Sequence, residues 1–161
     1  MNAVLTWMDG SWLNGFVLGY SWMWPMLEIL HFSGMCLLFG SILIMDLRLL
    51  GFQRLIGADA VHQLVPFAIA GFLINLTTGI LFVFGQPFRY AINISFQIKM
   101  ALVVLACLNA LLYNYKVEPM IRESGANGEY PFIAKAVGLA SIALWTGVIS
   151  YGRLIPYLGT G

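Results

Sequence analysis

The chain has 161 residues, of which 60% are hydrophobic and 9% charged, against roughly 45–50% and about 25% in soluble domains. So few polar groups cannot cover a surface in water, which places the chain in a lipid bilayer as a single domain. Eight Lys/Arg stand against seven Asp/Glu, leaving no basic face for nucleic acid.

Residues 1–24 are aromatic, with Trp7, Trp12, Phe16, Tyr20, Trp22 and Trp24, and are interrupted by Asp9, Gly10 and Asn14. Trp and Tyr concentrate at membrane interfaces, so this segment reads as an interfacial lead-in, with a fifth short span as the alternative. It carries Asp9 and no cationic stretch, so no cleavable signal peptide is expected. Four later stretches reach the roughly 20 apolar residues that a helix needs to cross a bilayer core of about 30 Å. They are about 25–47, 63–84, 92–113 and 132–155, which predicts an all-α fold, an integral membrane four-helix bundle. Pro25 and Pro131 fit helix starts, where a missing N–H is harmless, and Gly51 and Pro87 fit stops. The connectors GFQRLIGADA, GQPFRYA and KVEPMIRESGANGEYP are short and polar, and the last reads as the one clear loop.

Arg48, Arg54, Lys116, Arg122 and Lys135 fall on one side of these spans, Arg89 and Arg153 on the other. Positive charge favours the cytoplasmic side, so both termini are expected in the periplasm of a bacterial inner membrane. Cys36 and Cys107 lie in apolar runs without metal-type spacing and are expected to be reduced and packed.

The first span, EILHFSGMCLLFGSILIMD, places Glu28, His31 and Asp46 in an apolar run. With Met35, Phe39 and Ile42 they form one helical stripe. That stripe should face the bundle interior, because a charge facing acyl chains costs at least a few kcal/mol. The third span repeats the pattern with Ser95, Lys99, Leu102, Ala106, Asn109 and Tyr113. At about 1.5 Å per residue, His31 and Lys99 both lie roughly 10 Å inside the periplasmic surface. Glu28 and Arg153 are expected close by, whereas Asp46 pairs with Arg48 as a cytoplasmic anchor. In the second span Gly71, Asn75 and Gly79 make a small-residue strip for close helix approach, with Asn75 bonding across. His62 begins that span roughly 20 Å from His31 in depth, which excludes a bis-histidine site.

Three readings of His31 follow. One is a structural polar network of Glu28, His31 and Lys99, as in a non-enzymatic accessory or assembly subunit. Another is a haem b site, since neutral imidazole is a common axial ligand and bundles build such sites between facing helices. There Met35, Met100 or Lys99 could supply a second ligand, Lys99, Arg89 or Arg153 a propionate partner, and Gly34 and Gly40 room for the macrocycle. The last is a proton or copper path, with Glu28, His31 and Asp46 as relays or Met23, Met26, His31 and Met35 as soft ligands.

Two passages bear on the choice. HFSGMCLLFGSILIMDLRL resembles the opening helix of HemJ-type membrane proteins, and FQIKMALVVL resembles the helix of that family that carries an intramembrane lysine. HemJ-type proteins bind haem b and oxidise protoporphyrinogen; the related CopD-type proteins are tied to copper handling. The resemblance implies His31 as haem ligand and Lys99 as a functional lysine. The third helix departs from it: ACLNALLYNY carries Asn109 and Asn114 where HemJ has a histidine, so haem binding is implied more directly than protoporphyrinogen oxidation. The pattern HxxG followed by DLRLLG is also similar to small bacterial membrane proteins of uncharacterised role. Together these lead to the expectation of a redox protein, metal-binding through His31 and its haem iron. Its cofactor-binding residues are His31, Lys99, Glu28, Met35, Met100 and Arg153. It would pass electrons between a quinone and a partner membrane or periplasmic redox protein. An oligomer is compatible with the sequence.

Overall fold

The computed structural model describes residues 2–52, 63–123 and 130–158, and His62 and Arg54 lie outside them. Among the described residues the elements are α1 (Asn2–Asp9), α2 (Trp12–Gly19), α3 (Met23–Leu49), α4 (Val65–Gly85), α5 (Pro87–Ile92), α6 (Ile94–Leu112), a π-helical turn (Tyr113–Val117), α7 (Glu118–Glu123) and α8 (Phe132–Leu154). Four of the helical paths are long and apolar enough to cross a membrane: Met23–Leu49, Val65–Gly85, Ile94–Ile121 and Phe132–Leu154. Their outward faces carry bare apolar side chains such as Phe67, Leu73 and Ile80 on α4 and Val104, Leu105 and Leu108 on α6. In water such a surface would be an aggregation site; in lipid it is solvated. The fold is an all-α four-helix membrane bundle.

Glycines set the closest approach in it. A Cβ on Gly71 would lie 2.5 Å from the Leu38 amide nitrogen and 2.7 Å from the Gly34 carbonyl, and one on Gly34 would lie 2.8 Å from both Asn75 Nδ2 and Ile74 Cγ2. Gly34 therefore serves α3–α4 packing and does not open room for a macrocycle, while nothing lies within 4 Å of a Cβ at Gly40. Asn75 does not bond across as expected. Its amide donates to Gly71 O one turn back, at 2.9 Å, because the helices approach too closely for the side chain to span between them. The helices pack in the spatial order α4–α3–α8–α6. Consecutive α4 and α6 do not pack closely on each other, so the bundle has an open seam on that side.

The aromatic lead-in forms two helices of eight residues each. At about 1.5 Å per residue each is far too short to cross the membrane. Ser11 caps α2 by accepting from the Asn14 amide at 3.2 Å. Asn14 in turn donates to Phe84 O at 2.8 Å and Gly85 O at 3.2 Å, closing the last carbonyls of α4. Trp12, Tyr20 and Trp22 stay exposed, as interfacial aromatics do.

Asn93 ties the same end of the bundle together. It is fully buried, caps α6 by accepting from the Phe96 amide at 3.0 Å, and donates to Ile155 O at 2.8 Å and Leu158 O at 2.6 Å past the end of α8. Asn93→Leu should cost about 3 kcal/mol, since it strands buried carbonyls that water cannot reach. Thermal unfolding in detergent would measure this.

The expected loop after the third span is partly helical. The helix widens at Tyr113, where the Glu118 amide bonds back to Tyr113 O, and then continues as α7. Pro119 explains the widening: it lacks an N–H and its ring collides with the carbonyl one turn back. Glu118 sits in the first turn of α7, where its charge suits the helix dipole.

Candidate functional site

His31 lies on α3 facing α4. Its Nδ1 is 2.7 Å from Thr78 Oγ1, and the Thr78 hydroxyl is 2.7 Å from Ile74 O one turn back. A threonine has one proton to give. With that proton on Ile74 O, Thr78 accepts from His31, so Nδ1 carries the ring hydrogen and Nε2 keeps its lone pair. The Phe82 ring meets the imidazole edge-on at 5.5 Å and Trp24 packs on Phe82 at 5.1 Å, which fixes the ring plane. Gly79 keeps the space beside the ring clear, for its Cβ would lie 3.9 Å from His31 Cε1 and near nothing else.

The imidazole lines a cavity of about 280 Å³ in the open seam, walled by Phe72, Asn75 and Gly79 on α4, Lys99, Met100 and Val103 on α6, and Trp145 and Val148 on α8. Met35, one turn past His31, shares the His31 wall, and Met8 of α1 reaches in from the lead-in. Lys99 extends along α8, with Nζ 3.5 Å from where a Gly152 Cβ would be. The lining is apolar apart from His31, Asn75 and Lys99.

Four residues expected at the site thus meet there: His31, Met35, Lys99 and Met100. Glu28 and Arg153 do not line this cavity. Glu28 is exposed and accepts from the Trp24 indole at 3.1 Å. The buried face of α3 runs through Leu27, Gly34, Leu38 and Asp46, to one side of the expected stripe: His31, Met35, Phe39 and Ile42 are half-buried and Glu28 is exposed, so Asp46 is the one stripe member fully inside. Burial pushes the neighbouring Tyr90 phenol up; Arg89 opposes that shift and Glu28 adds to it. Arg153 is exposed and reaches over Tyr157, 5.9 Å from its centroid. Arg89 donates to Gln86 at 2.9 Å.

Asp46 is not an interfacial anchor. It is 6% exposed because α3 runs on to Leu49 and α8 packs over it, with a Gly138 Cβ position 3.3 Å from Asp46 O. Ser141 on α8 lies within hydrogen-bonding reach of its carboxyl, and Oδ2 has no partner. Asp46 lines a second cavity in the same seam, of about 400 Å³, with Phe72, Asn109, Tyr113, Ser141 and Trp145. Leu38, Phe72 and Trp145 line both cavities. The burial of Asp46 depends on α8 packing against this end of α3, a tertiary contact that the pattern of one helix does not give.

Among the described residues no group of three or more His, Cys, Asp or Glu could hold a metal ion. Cys36 and Cys107 are unpaired, the first exposed and the second half-buried. The donor set in this cavity wall is one imidazole with three thioethers, of Met8, Met35 and Met100, and the Lys99 amine. A family model described as a family of unknown function (DUF6644) matches residues 4–158. No curated protein and no solved structure matches the chain.

Proposed function

We propose that this chain, which belongs to the DUF6644 family, is a b-type haem protein of the bacterial inner membrane that takes part in electron transfer near the periplasmic leaflet. The observation that carries this reading is the His31–Thr78 hydrogen bond. Ligating histidines donate their other ring hydrogen to a fixed acceptor, which sets the tautomer and the ring plane. His31 Nδ1 stands 2.7 Å from Thr78 Oγ1, in a cavity whose wall holds no other imidazole among the described residues.

The residues fit such a group in three respects. His31 would hold the iron through Nε2. Met100 and Lys99 stand on α6, across the seam from α3, where a second ligand or a propionate partner is needed. The apolar lining excludes water. The cavity, about 280 Å³, falls just below the roughly 300–1,000 Å³ of ligand sites, so a larger group would extend into the open seam. When bound, haem b supplies a one-electron iron couple; the protein holds it, shields it and orients it. The excess of Lys and Arg in the loops of the opposite side favours a periplasmic position for the His31 end and both termini.

Lys99→Met tests the propionate role. It should leave a haem spectrum in place while weakening haem retention by about tenfold, or about 1.4 kcal/mol, measured as transfer of haem to apomyoglobin. The open seam also favours a second reading, an accessory subunit in which a partner's transmembrane helix lies between α4 and α6; that protein would be colourless.

A further inference from the structure

The second cavity poses a question that haem at His31 does not answer. Asp46 is 94% buried by its 6% exposure, lies in the membrane-spanning part of α3, and keeps Oδ2 without a partner. Leaving a buried polar atom unsatisfied costs about 1–3 kcal/mol, more when it is charged. An aliphatic side chain at this position would pack against Leu49 and Val137 without that cost. The carboxyl therefore has a lone oxygen left to receive a polar group that enters the cavity.

We propose that the Asp46 cavity is a binding site for a membrane-soluble quinone–quinol ligand, with Asp46 holding its head group. The cavity, about 400 Å³, is bounded by Phe72, Tyr113 and Trp145, flat side chains suited to an aromatic ring. It lies in the seam where α4 and α6 do not pack closely, so a lipid-dissolved molecule enters sideways without crossing water. A carboxylate accepts from a quinol hydroxyl, and the protonated carboxyl donates to a quinone carbonyl. One side chain thus serves both forms of the ligand, which a simple cation or anion site would not require. The last torsion of an aspartate is soft, so Oδ2 turns toward the ligand at small cost. Asn109 spends an amide hydrogen on Val137 O at 3.1 Å and keeps its carbonyl oxygen as a second acceptor. The π-helical turn begins at Tyr113, in the cavity wall, and such widened turns are frequent at functional sites. The shared wall of Leu38, Phe72 and Trp145 sets this ligand next to the His31 cavity. Its purpose rests on the redox reading; its binding does not.

The test is calorimetric titration of the purified full-length protein in detergent with tetramethylhydroquinone, whose fully substituted ring has no open carbon for a thiol to attack. One site is expected. Asp46→Leu, which removes an unpartnered polar group and should fold, weakens binding by at least about tenfold, and His31→Ala leaves it unchanged. In a second measurement on the Cys36→Ser protein, saturating tetramethylhydroquinone slows maleimide modification of Cys107, whose residue lines the cavity. That protection decides the matter should Asp46→Leu fail to fold. Absence of binding, undiminished binding to folded Asp46→Leu, unprotected Cys107, or loss of binding in His31→Ala would each overturn the proposal. A colourless protein that still binds the quinol at Asp46 would overturn the haem reading alone.

Discussion

Gly71→Leu should prevent assembly of the bundle or destabilise it by more than about 4 kcal/mol, among the largest effects of a single substitution. A Cβ at this position meets backbone on both sides, the Leu38 amide nitrogen at 2.5 Å and the Gly34 carbonyl at 2.7 Å. Backbone in a helix cannot swing aside as a side chain can, so α3 and α4 must separate along their contact. That contact also holds His31 against Thr78, and a separation would take the site with it. Gly40→Ala is the internal control. It has open space around its Cβ, so it should be neutral or stabilise by about 0.5–1 kcal/mol through helix propensity. Size-exclusion profiles and thermal unfolding of the two variants in one detergent would compare them.

His31→Ala and Thr78→Val should separate ligation from orientation. His31→Ala removes the one imidazole that the described residues place in the cavity wall and should abolish haem binding. Thr78→Val keeps the volume of the side chain and removes the acceptor of the Nδ1 hydrogen bond, leaving the tautomer and the ring plane unspecified. Loss of a comparable outer partner lowers metal affinity by about 10–100-fold, so this variant should bind haem weakly and with a shifted spectrum. Thr78 is 4% exposed, and valine fills the same space, so the fold should survive. Haem content per chain after purification, and its rise on adding haem, would show the graded loss. Equal haem in all three proteins would place any haem elsewhere.

Much of the fold was legible in the sequence because lipid leaves few solutions. Apolar runs long enough to span a bilayer must be helices, and the four runs found from Pro25 onward correspond to the four long helices of the structure. The breaks at Asp9, Gly10 and Asn14 in the aromatic lead-in fit the two short helices that occupy it in place of a fifth span. The stripe on the third span faces inward, with Ser95 and Ala106 buried and Lys99, Leu102, Asn109 and Tyr113 half-buried.

Periodicity fails where position depends on neighbours. Glu28 and Asp46 share a helical direction, yet one is exposed and the other buried, because α8 packs directly over Asp46, with a Gly138 Cβ position 3.3 Å from its carbonyl. The spatial order of the helices, and so the seam that brings His31 and Lys99 into one cavity, cannot be read from a single helix. Thr78 gave no signal beyond its place two turns after Gly71, since a threonine in a span commonly bonds its own helix. Asn93 could have been found: an asparagine just before an apolar run is a strong helix cap. Its second task, closing the end of α8, needs the tertiary contact.

The most direct measurement of the central claim is the absorbance spectrum of the purified wild-type protein, oxidised and then reduced with dithionite. A haem b held by His31 predicts a Soret band that sharpens and shifts on reduction, at about one haem per chain. A folded, monodisperse protein that stays colourless after purification and after added haem would contradict it.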